Sequence, residues 1–306
     1  MSEQVEVLPA QGVTNQPARS ISWRDYLELT KPRVVALMIL TSVIGMLLAT
    51  SGLPGLSVLI WGNLGIALLA GAAAVVNHVV DQKIDTVMAR TRKRPVATGK
   101  ISSIEAILFA ALLATVGMVV LIWQVNHLTA WLTLASLVGY AGVYTLFLKR
   151  ATPQNITIGG LAGAMPPLLG WTAVTGQVDG HALLLVLIIF AWTPPHFWAL
   201  AIHRKEEYAK AGIPMLPVTH GNKFTELHIL LYTLILLAVS LLPFVTGMSG
   251  WIYLAGAMVL GLRFLQYAVR LLRGDDRRVA LKTFKFSITY LMVLFVVLLV
   301  DHYVFF

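Results

Sequence analysis

Two aspartates four residues apart, Asp81 and Asp85, lie where a long apolar run meets a cluster of basic residues. Ionisable side chains at the edge of a membrane are costly, so they are functional candidates. A spacing of four places both carboxylates on one face of a helix, and Asn77 shares that face. Oxygen ligands beside cationic side chains are typical of a Mg²⁺ ion that holds a diphosphate. This segment therefore predicts chemistry on a diphosphate.

The basic run that follows the aspartates supplies candidate phosphate ligands. Arg90 and Arg94 are four residues apart and closest in helical phase to the aspartates, and Lys93 lies between them. Guanidinium groups match the geometry of phosphate oxygens. A basic loop also has a simpler explanation, because positive charge retains a loop on the inner side of a membrane. We therefore expect only one or two of these side chains to bind phosphate.

A second basic pair, Lys149 and Arg150, follows Tyr144 at the end of another apolar run, and Asn155 opens the next run. This arrangement predicts a second cationic clamp on the phosphates. The alternative is a membrane anchor with a snorkelling lysine.

Histidines mark a further candidate site. His196 and His203 are seven residues apart, which is two turns on one helical face. Pro194-Pro195 just before them predicts a break or kink in the helix. Neutral imidazole suits iron, zinc or copper better than Mg²⁺, and His78 is a third candidate. The alternative for each histidine is a hydrogen bond between helices.

The composition indicates a polytopic membrane protein. Of 306 residues, 58% are hydrophobic and only 12% are charged, and the mean hydropathy is +0.78. Soluble domains carry about 25% charged residues. There are no cysteines, which excludes disulfides and Cys-ligated zinc. Nucleic acid is not an expected partner, because the basic residues flank apolar spans and form no separate basic domain.

Nine segments are apolar enough to cross a bilayer, which needs about 20 residues each. Residues 1–28 are predicted to be a cytoplasmic tail without a targeting signal, and residues 29–306 a single all-α membrane domain. A bacterial inner membrane is the expected location. The predicted spans are 33–51, 56–80, 104–123, 128–147, 156–175, 181–200, 226–247, 250–270 and 284–304.

The charges orient these spans. With the N-terminus inside, all 23 lysines and arginines fall in inner segments and none in outer segments. The positive-inside rule then places the C-terminus outside and the aspartates near the cytoplasmic face.

The two long inner loops, about 81–103 and 201–225, resemble each other at an offset of 122 residues. Asp81 aligns with His203, and Asp85 aligns with Glu207, so Arg204 joins the candidate set. Parallel repeats predict two four-helix halves with one added helix.

Together these motifs resemble the UbiA superfamily of intramembrane prenyltransferases, in its haem-modifying branch. The resemblance covers residues from about 24 to 300. The residues that carry it are Asn77-His78-x-x-Asp81-x-x-x-Asp85, Arg90-Thr91-Arg92-Lys93-Arg94-Pro95, Tyr144 with Lys149-Arg150, Gly159-Gly160 with Gly163-Ala164 and Pro166-Pro167, and Pro194-Pro195-His196-Phe197-Trp198.

The resemblance implies a UbiA-type bundle and transfer of a farnesyl group from farnesyl diphosphate to a vinyl group of haem B, with addition of water. It implies Mg²⁺ on Asn77, Asp81 and Asp85. Most members have a second Asp-rich motif, but His203 replaces its first aspartate here. The resemblance therefore does not imply a second Mg²⁺ site in this chain. The implied catalytic residues also include Arg90, Arg94 and Lys149. The implied substrate-binding residues are His78, Lys93, Tyr144, Arg150, Asn155, His196, His203, Arg204 and Glu207.

Other functions remain open on the sequence. A prenyltransferase of the same fold acting on an aromatic quinone precursor is one, although its second Asp-rich motif is incomplete here. A haem-binding membrane protein without catalysis is another, as is an assembly factor for an oxidase. Haem-handling or oxidase-assembly proteins are the expected partners besides membrane lipid.

Overall fold

The computed structural model describes residues 21–88, 91–274 and 277–305, and the regular secondary structure in these ranges is helical. The helices are α1 (Trp23–Leu29), α2 (Pro32–Leu48), α3 (Leu56–Val80), α4 (Gln82–Val87), α5 (Ser103–Gln124), α6 (His127–Val138), α7 (Lys149–Ala151), α8 (Asn155–Ala164), α9 (Pro166–Thr175), α10 (Gly180–His203), α11 (Lys205–Lys210), α12 (Leu216–Thr219), α13 (Gly221–Val245), α14 (Trp251–Arg273) and α15 (Arg277–Phe305). A π-helical segment, Gly139–Leu148, joins α6 to α7.

Seven of the described helical segments are long and apolar enough to cross a membrane. The pair α1 and α2, bent by 54°, makes an eighth if it counts as one span. The predicted fifth span is interrupted, since α8 and α9 are ten residues each and meet at Pro166-Pro167. Proline lacks the N–H that would continue the helix and clashes with the preceding turn. The count of nine spans is therefore not confirmed, whereas the all-helical membrane architecture is.

Small residues let the spans approach closely. A Cβ atom added to Gly45 of α2 would lie 2.0 Å from the carbonyl oxygen of Pro167, and one added to Gly170 of α9 would lie 2.0 Å from that of Ser42. Close backbone contact of this kind is typical of helix pairs in membranes. The α2–α9 contact therefore holds the interrupted segment against the first half of the bundle.

The two halves of the chain repeat the same order of elements. After α3, Asp81 interrupts the helix before the six-residue α4, and after α10, Arg204 does so before the six-residue α11. Gly99 (φ +74°) and Gly221 (φ +81°) then occupy matching left-handed turns, 122 residues apart. The backbone agrees with the repeat that the sequence indicates.

Helix α10 is continuous through Pro194 and Pro195, so of the predicted break or kink the break does not occur. Bonds to α15 support the helix at this point. The indole N–H of Trp192 donates to the carbonyl oxygen of Ser287 (2.7 Å), and Nδ1 of His196 lies 2.6 Å from the Ser287 hydroxyl. Tertiary contacts with α13 and α15 thus outweigh the local preference of the proline pair.

Helix α1 lies against the first long loop. Asp25 pairs with Lys100 at 2.7 Å, and the buried Leu29 packs in one cluster with Val96 and Ile101. An apolar cleft of about 770 Å³ is lined by residues of α1, α2, α3 and α5. The loop that carries Arg94 is therefore held from one side by α1.

Candidate functional site

Asn77, Asp81 and Asp85 lie together at one end of α3, as their spacing predicts. Each is buried, with 3–4% of its surface exposed. Asp81 ends α3 and begins α4, yet the N–H of Asp85 still donates to the carbonyl oxygen of Asp81 (2.8 Å). The helical turn between the two carboxylates is therefore preserved across the break.

Basic side chains from distant parts of the chain meet these groups. Lys149 Nζ lies 2.5 Å from Asp81 Oδ2, and Arg94 Nη1 lies 2.6 Å from Asp85 Oδ2. Asn77 Nδ2 donates to the same Asp81 oxygen at 2.9 Å. Charge-assisted hydrogen bonds offset part of the cost of burying the two carboxylates. Of the basic candidates that the structure describes, Arg94 and Lys149 thus contact the carboxylates.

Lys31 is a further member of the site that the sequence does not single out, because it is one of the 23 basic residues of the inner segments. Its ammonium group donates to Asn77 Oδ1. Among the described residues it is the one non-glycine residue with a positive φ, at 51°. Such a conformation costs about 1–3 kcal/mol and persists where the surroundings enforce it. No local sequence pattern predicts this contact, because 46 residues separate Lys31 from Asn77.

The π-helical segment presents the wall opposite α3. Its Thr145 hydroxyl donates to the carbonyl oxygen of Tyr140 (2.7 Å) and lies 3.5 Å from Asn77 Nδ2. Tyr140 and Tyr144 stack with ring centroids 5.6 Å apart. Gly159 of α8 leaves room for Tyr144, because a Cβ there would lie 2.1 Å from the ring. π-Helical turns are rare and concentrate at functional sites.

The first loop is fixed by polar contacts that position Arg94. Gln82 Nε2 donates to the carbonyl oxygen of Val96 (3.0 Å), and the Gln82 amide oxygen accepts from Ser103 (3.2 Å). The Thr91 hydroxyl donates to the carbonyl oxygen of Asp85 (3.2 Å). These contacts tie both ends of the loop to α4.

Three buried side chains of the site retain unpaired polar atoms. Asp81 Oδ1, both ring nitrogens of His78 and the Asn155 amide oxygen lack a hydrogen-bond partner. The amide nitrogen of Asn155 donates to the Lys149 carbonyl oxygen at 3.1 Å. Buried unpaired polar atoms are expensive unless a ligand or metal completes them. Asp81 Oδ1 is thus an oxygen available to a hard cation.

His196 of α10, the helix that precedes the second loop, lies in an aromatic surrounding. His196 is enclosed by rings, stacking on Trp192 with centroids 4.1 Å apart and lying 4.6 Å from Phe284. The Ser287 hydroxyl donates to the Phe284 carbonyl oxygen at 2.7 Å, so it accepts the bond from His196 Nδ1. His196 therefore links two helices in this structure, the alternative weighed for it. The lone pair of the neutral ring then resides on Nε2.

The remaining candidates take varied positions. His203 is exposed at the end of α10, Arg204 and Glu207 are half-buried beside it, and Lys93 is exposed. Arg90 and the side chain of Arg150 lie outside the part of the chain that the structure describes. Over the described ranges, no three His, Asp or Glu side chains cluster closely enough to hold a metal ion. A second metal site at His203 and Glu207 therefore has no support in the geometry.

Comparison with known proteins identifies the family. The model of the UbiA prenyltransferase family matches residues 38–296. The chain belongs to the UbiA prenyltransferase family. It is 86% identical over 301 residues to the protoheme IX farnesyltransferase of Marinobacter nauticus, covering 98% of this chain and 99% of that protein. It is 68% identical to the protoheme IX farnesyltransferase of Hahella chejuensis over 292 residues, covering 95% and 97%.

Solved structures share the fold at low sequence identity. A digeranylgeranylglyceryl phosphate synthase structure superposes with a TM-score of 0.79 at 20% identity, covering 92% of this chain and 98% of that one. A UbiA homologue from Archaeoglobus fulgidus, bound to GPP and Mg²⁺, gives a TM-score of 0.59 at 17% identity, covering 90% and 99%. The chain is therefore an integral membrane prenyltransferase of UbiA fold.

Proposed function

We propose that this protein transfers the farnesyl group of farnesyl diphosphate to a vinyl group of haem B, with addition of water. The observation that carries the proposal is the buried Asp81–Lys149 and Asp85–Arg94 arrangement, in a chain 86% identical to a relative named for this reaction. Residues 29–306 form the single catalytic domain, and residues 1–28 form its cytoplasmic tail.

The donor set fits one Mg²⁺ ion. Asn77 and the two aspartates offer uncharged and charged oxygens, and Asp81 Oδ1 is buried without a partner. Oxygen ligands of this kind are those that Mg²⁺ prefers, together with substrate phosphates. Bound there, Mg²⁺ would supply Lewis-acid stabilisation of the diphosphate.

The basic side chains act on the leaving group. Lys31, Lys149 and Arg94 already face the carboxylate end of the site, so a diphosphate there would meet preorganised positive charge. As the allylic C–O bond breaks, its electron pair passes to the diphosphate, where these cations stabilise the developing charge. Arg90, Lys93 and Arg150 are proposed as further contacts of the diphosphate.

The farnesyl cation then meets the acceptor. The terminal carbon of the haem vinyl group forms the new C–C bond, and water adds to the adjacent carbon with loss of a proton. Tyr144 and Asn155 line the wall beside Lys149 and are proposed to exclude bulk water from the cation. Exclusion of water protects the cation from hydrolysis before the vinyl group reacts.

The histidines are proposed to place the haem. His203 is exposed at the end of α10, and Arg204 and Glu207 follow it. His196 would have to offer Nε2, since its Nδ1 is bonded to Ser287. His78 is buried beside Asp81 with both nitrogens unpaired, so it is a third candidate.

The membrane setting completes the proposal. We place the protein in a bacterial inner membrane with the site near the cytoplasmic face and the C-terminus outside. The bundle has nine crossings, of which α8 and α9 together make the fifth. Haem-handling or oxidase-assembly proteins would receive the product.

The test is to incubate membranes containing the protein with haem B, farnesyl diphosphate and Mg²⁺, and to separate the haems by chromatography. A more hydrophobic haem that depends on all three components is expected. Prenylation of an aromatic acid without any new haem would instead assign the protein to the quinone-precursor branch.

A further inference from the structure

The two repeated loops meet in a cleft whose lining residues have no role in the site described above. The cleft is about 300 Å³ in volume and lies between α4 and the end of α11. It is lined by Lys83, Ile84, Val87, Lys210, Ala211, Gly212 and Ile213. Each loop contributes one lysine, and the remaining lining side chains are apolar or absent.

The floor of the cleft is part of the protein core, whereas its rim is charged. Ile213 is buried in one cluster with Met88, and Ile84 packs against the same cluster. Lys83 and Lys210 are exposed. Gly212 adopts a left-handed turn at φ +65°, and a Cβ there would meet nothing within 4 Å. A ligand with an apolar body and anionic ends would fit this combination of floor and rim.

The cleft adjoins the diphosphate site through α4. Lys83, Ile84 and Val87 share one face of that short helix, while Asp85 belongs to the face that meets Arg94. Successive residues of a helix point about 100° apart, so the two sites flank one helix. A ligand in the cleft would therefore lie next to the reacting end of the farnesyl chain.

We propose that this cleft binds the propionate edge of the haem acceptor, with Lys83 and Lys210 pairing with its two carboxylates. The inference rests on the proposed function. Haem B joins a flat apolar macrocycle to two carboxylates on one edge, which complements an apolar floor between two lysines. The diphosphate has its own cations in Lys31, Lys149 and Arg94, so these two lysines are left for the acceptor.

The experiment compares haem B with its dimethyl ester, which keeps the macrocycle and vinyl groups but lacks the negative charges. The variants are Lys83→Gln, Lys210→Gln and the double variant. Lys205→Gln, on α11 but outside the cleft lining, is the matched control. Exposed ion pairs contribute little each, so the double variant should raise the KM for haem B by roughly fivefold to twentyfold. The kcat and the KM for farnesyl diphosphate should stay near wild type.

With the dimethyl ester, wild type and double variant should have equal KM values. Binding of haem B, followed by the Soret band without farnesyl diphosphate or Mg²⁺, should weaken by the same factor as the KM rises. Unchanged haem binding in the double variant would overturn the proposal, as would an equal loss with the ester. A raised KM for farnesyl diphosphate alone would reassign the lysines to the diphosphate. If wild type forms no prenylated haem, the proposed function fails, and the binding titration still decides whether the cleft recognises carboxylates.

Discussion

At the scale of single residues, the buried carboxylates of the site form close ion pairs with basic side chains. Among the described residues, Lys149 pairs with Asp81 and Arg94 pairs with Asp85, and removing one partner from a buried pair leaves the other uncompensated. The role of each residue therefore depends on its partner as well as on the ligand.

Replacing Asp81 with Asn keeps the shape of the side chain and removes its charge. We expect kcat to fall by about a hundredfold or more, because electrostatic stabilisation of the leaving group is typically that large. Turnover with haem B at varied Mg²⁺ measures it. Asp179→Asn, at an exposed cap of α10, is the control and should keep full activity. Wild-type turnover of Asp81→Asn at limiting Mg²⁺ would remove the metal-ligand role.

Two substitutions at Lys31 distinguish the effect of backbone strain on stability from the effect of the amine on activity. Lys31→Gly and Lys31→Met both lose the bond to Asn77, so both should lose most activity. Glycine adopts φ 51° without strain, so the Gly variant should be more stable than the Met variant by about 1 kcal/mol. Thermal unfolding in detergent compares the two. Equal stability would show that the left-handed conformation carries no cost here.

At the scale of elements, the site is assembled by helices that break or deform where the chemistry lies. Helix α3 breaks at Asp81, the π-helical segment carries Tyr140 and Tyr144, and α8 supplies the space that Tyr144 fills. The contact between α8 and the π-helical segment fixes the wall that holds Lys149.

Two glycines of α8 provide a matched test of that contact. Gly159→Ala would place a Cβ 2.1 Å from the Tyr144 ring, whereas at Gly163 a Cβ meets nothing within 4 Å. We expect Gly159→Ala to destabilise the protein by about 1–3 kcal/mol and to reduce turnover, since overpacking forces the ring aside. Gly163→Ala should leave both unchanged. Similar losses in the two variants would show that the close approach of Gly159 to Tyr144 is not the cause.

At the scale of the whole molecule, the candidate site lies at one end of the bundle. Asp81, Arg94 and Lys149 meet there, and the cleft between the two long loops adjoins them. Placing that end in the cytoplasm requires nine crossings, and hence that α8 and α9 together cross the membrane.

The absence of cysteines makes this topology directly measurable, because single cysteines can be introduced without removing others. Cysteine at Gln154, before α8, and at Gln177, after α9, should react with an impermeant maleimide from opposite sides of the membrane. In intact cells, Gln177→Cys should label and Gln154→Cys should not. Labelling of both positions from one side would show that α8 and α9 form a re-entrant hairpin.

The sequence by itself determined the features that depend on local spacing and composition. The membrane architecture follows from apolar runs, because lipid admits no unpaired backbone. The grouping of Asn77, Asp81 and Asp85 follows from the period of the helix, which survives the break at Asp81. The resemblance to UbiA prenyltransferases followed from short sequence motifs, which also consist of residues close together in the chain.

The tertiary structure decided which distant groups meet. Lys31 and Asn77 are 46 residues apart, Lys149 and Asp81 are 68 apart, and His196 and Ser287 are 91 apart. The periodicity of residues along the chain does not predict such pairs, because they form only when helices pack against each other. Packing likewise kept α10 continuous through two prolines, against their local preference. The reason is physical: local geometry follows from neighbours along the chain, whereas the partners of a buried charge follow from the fold.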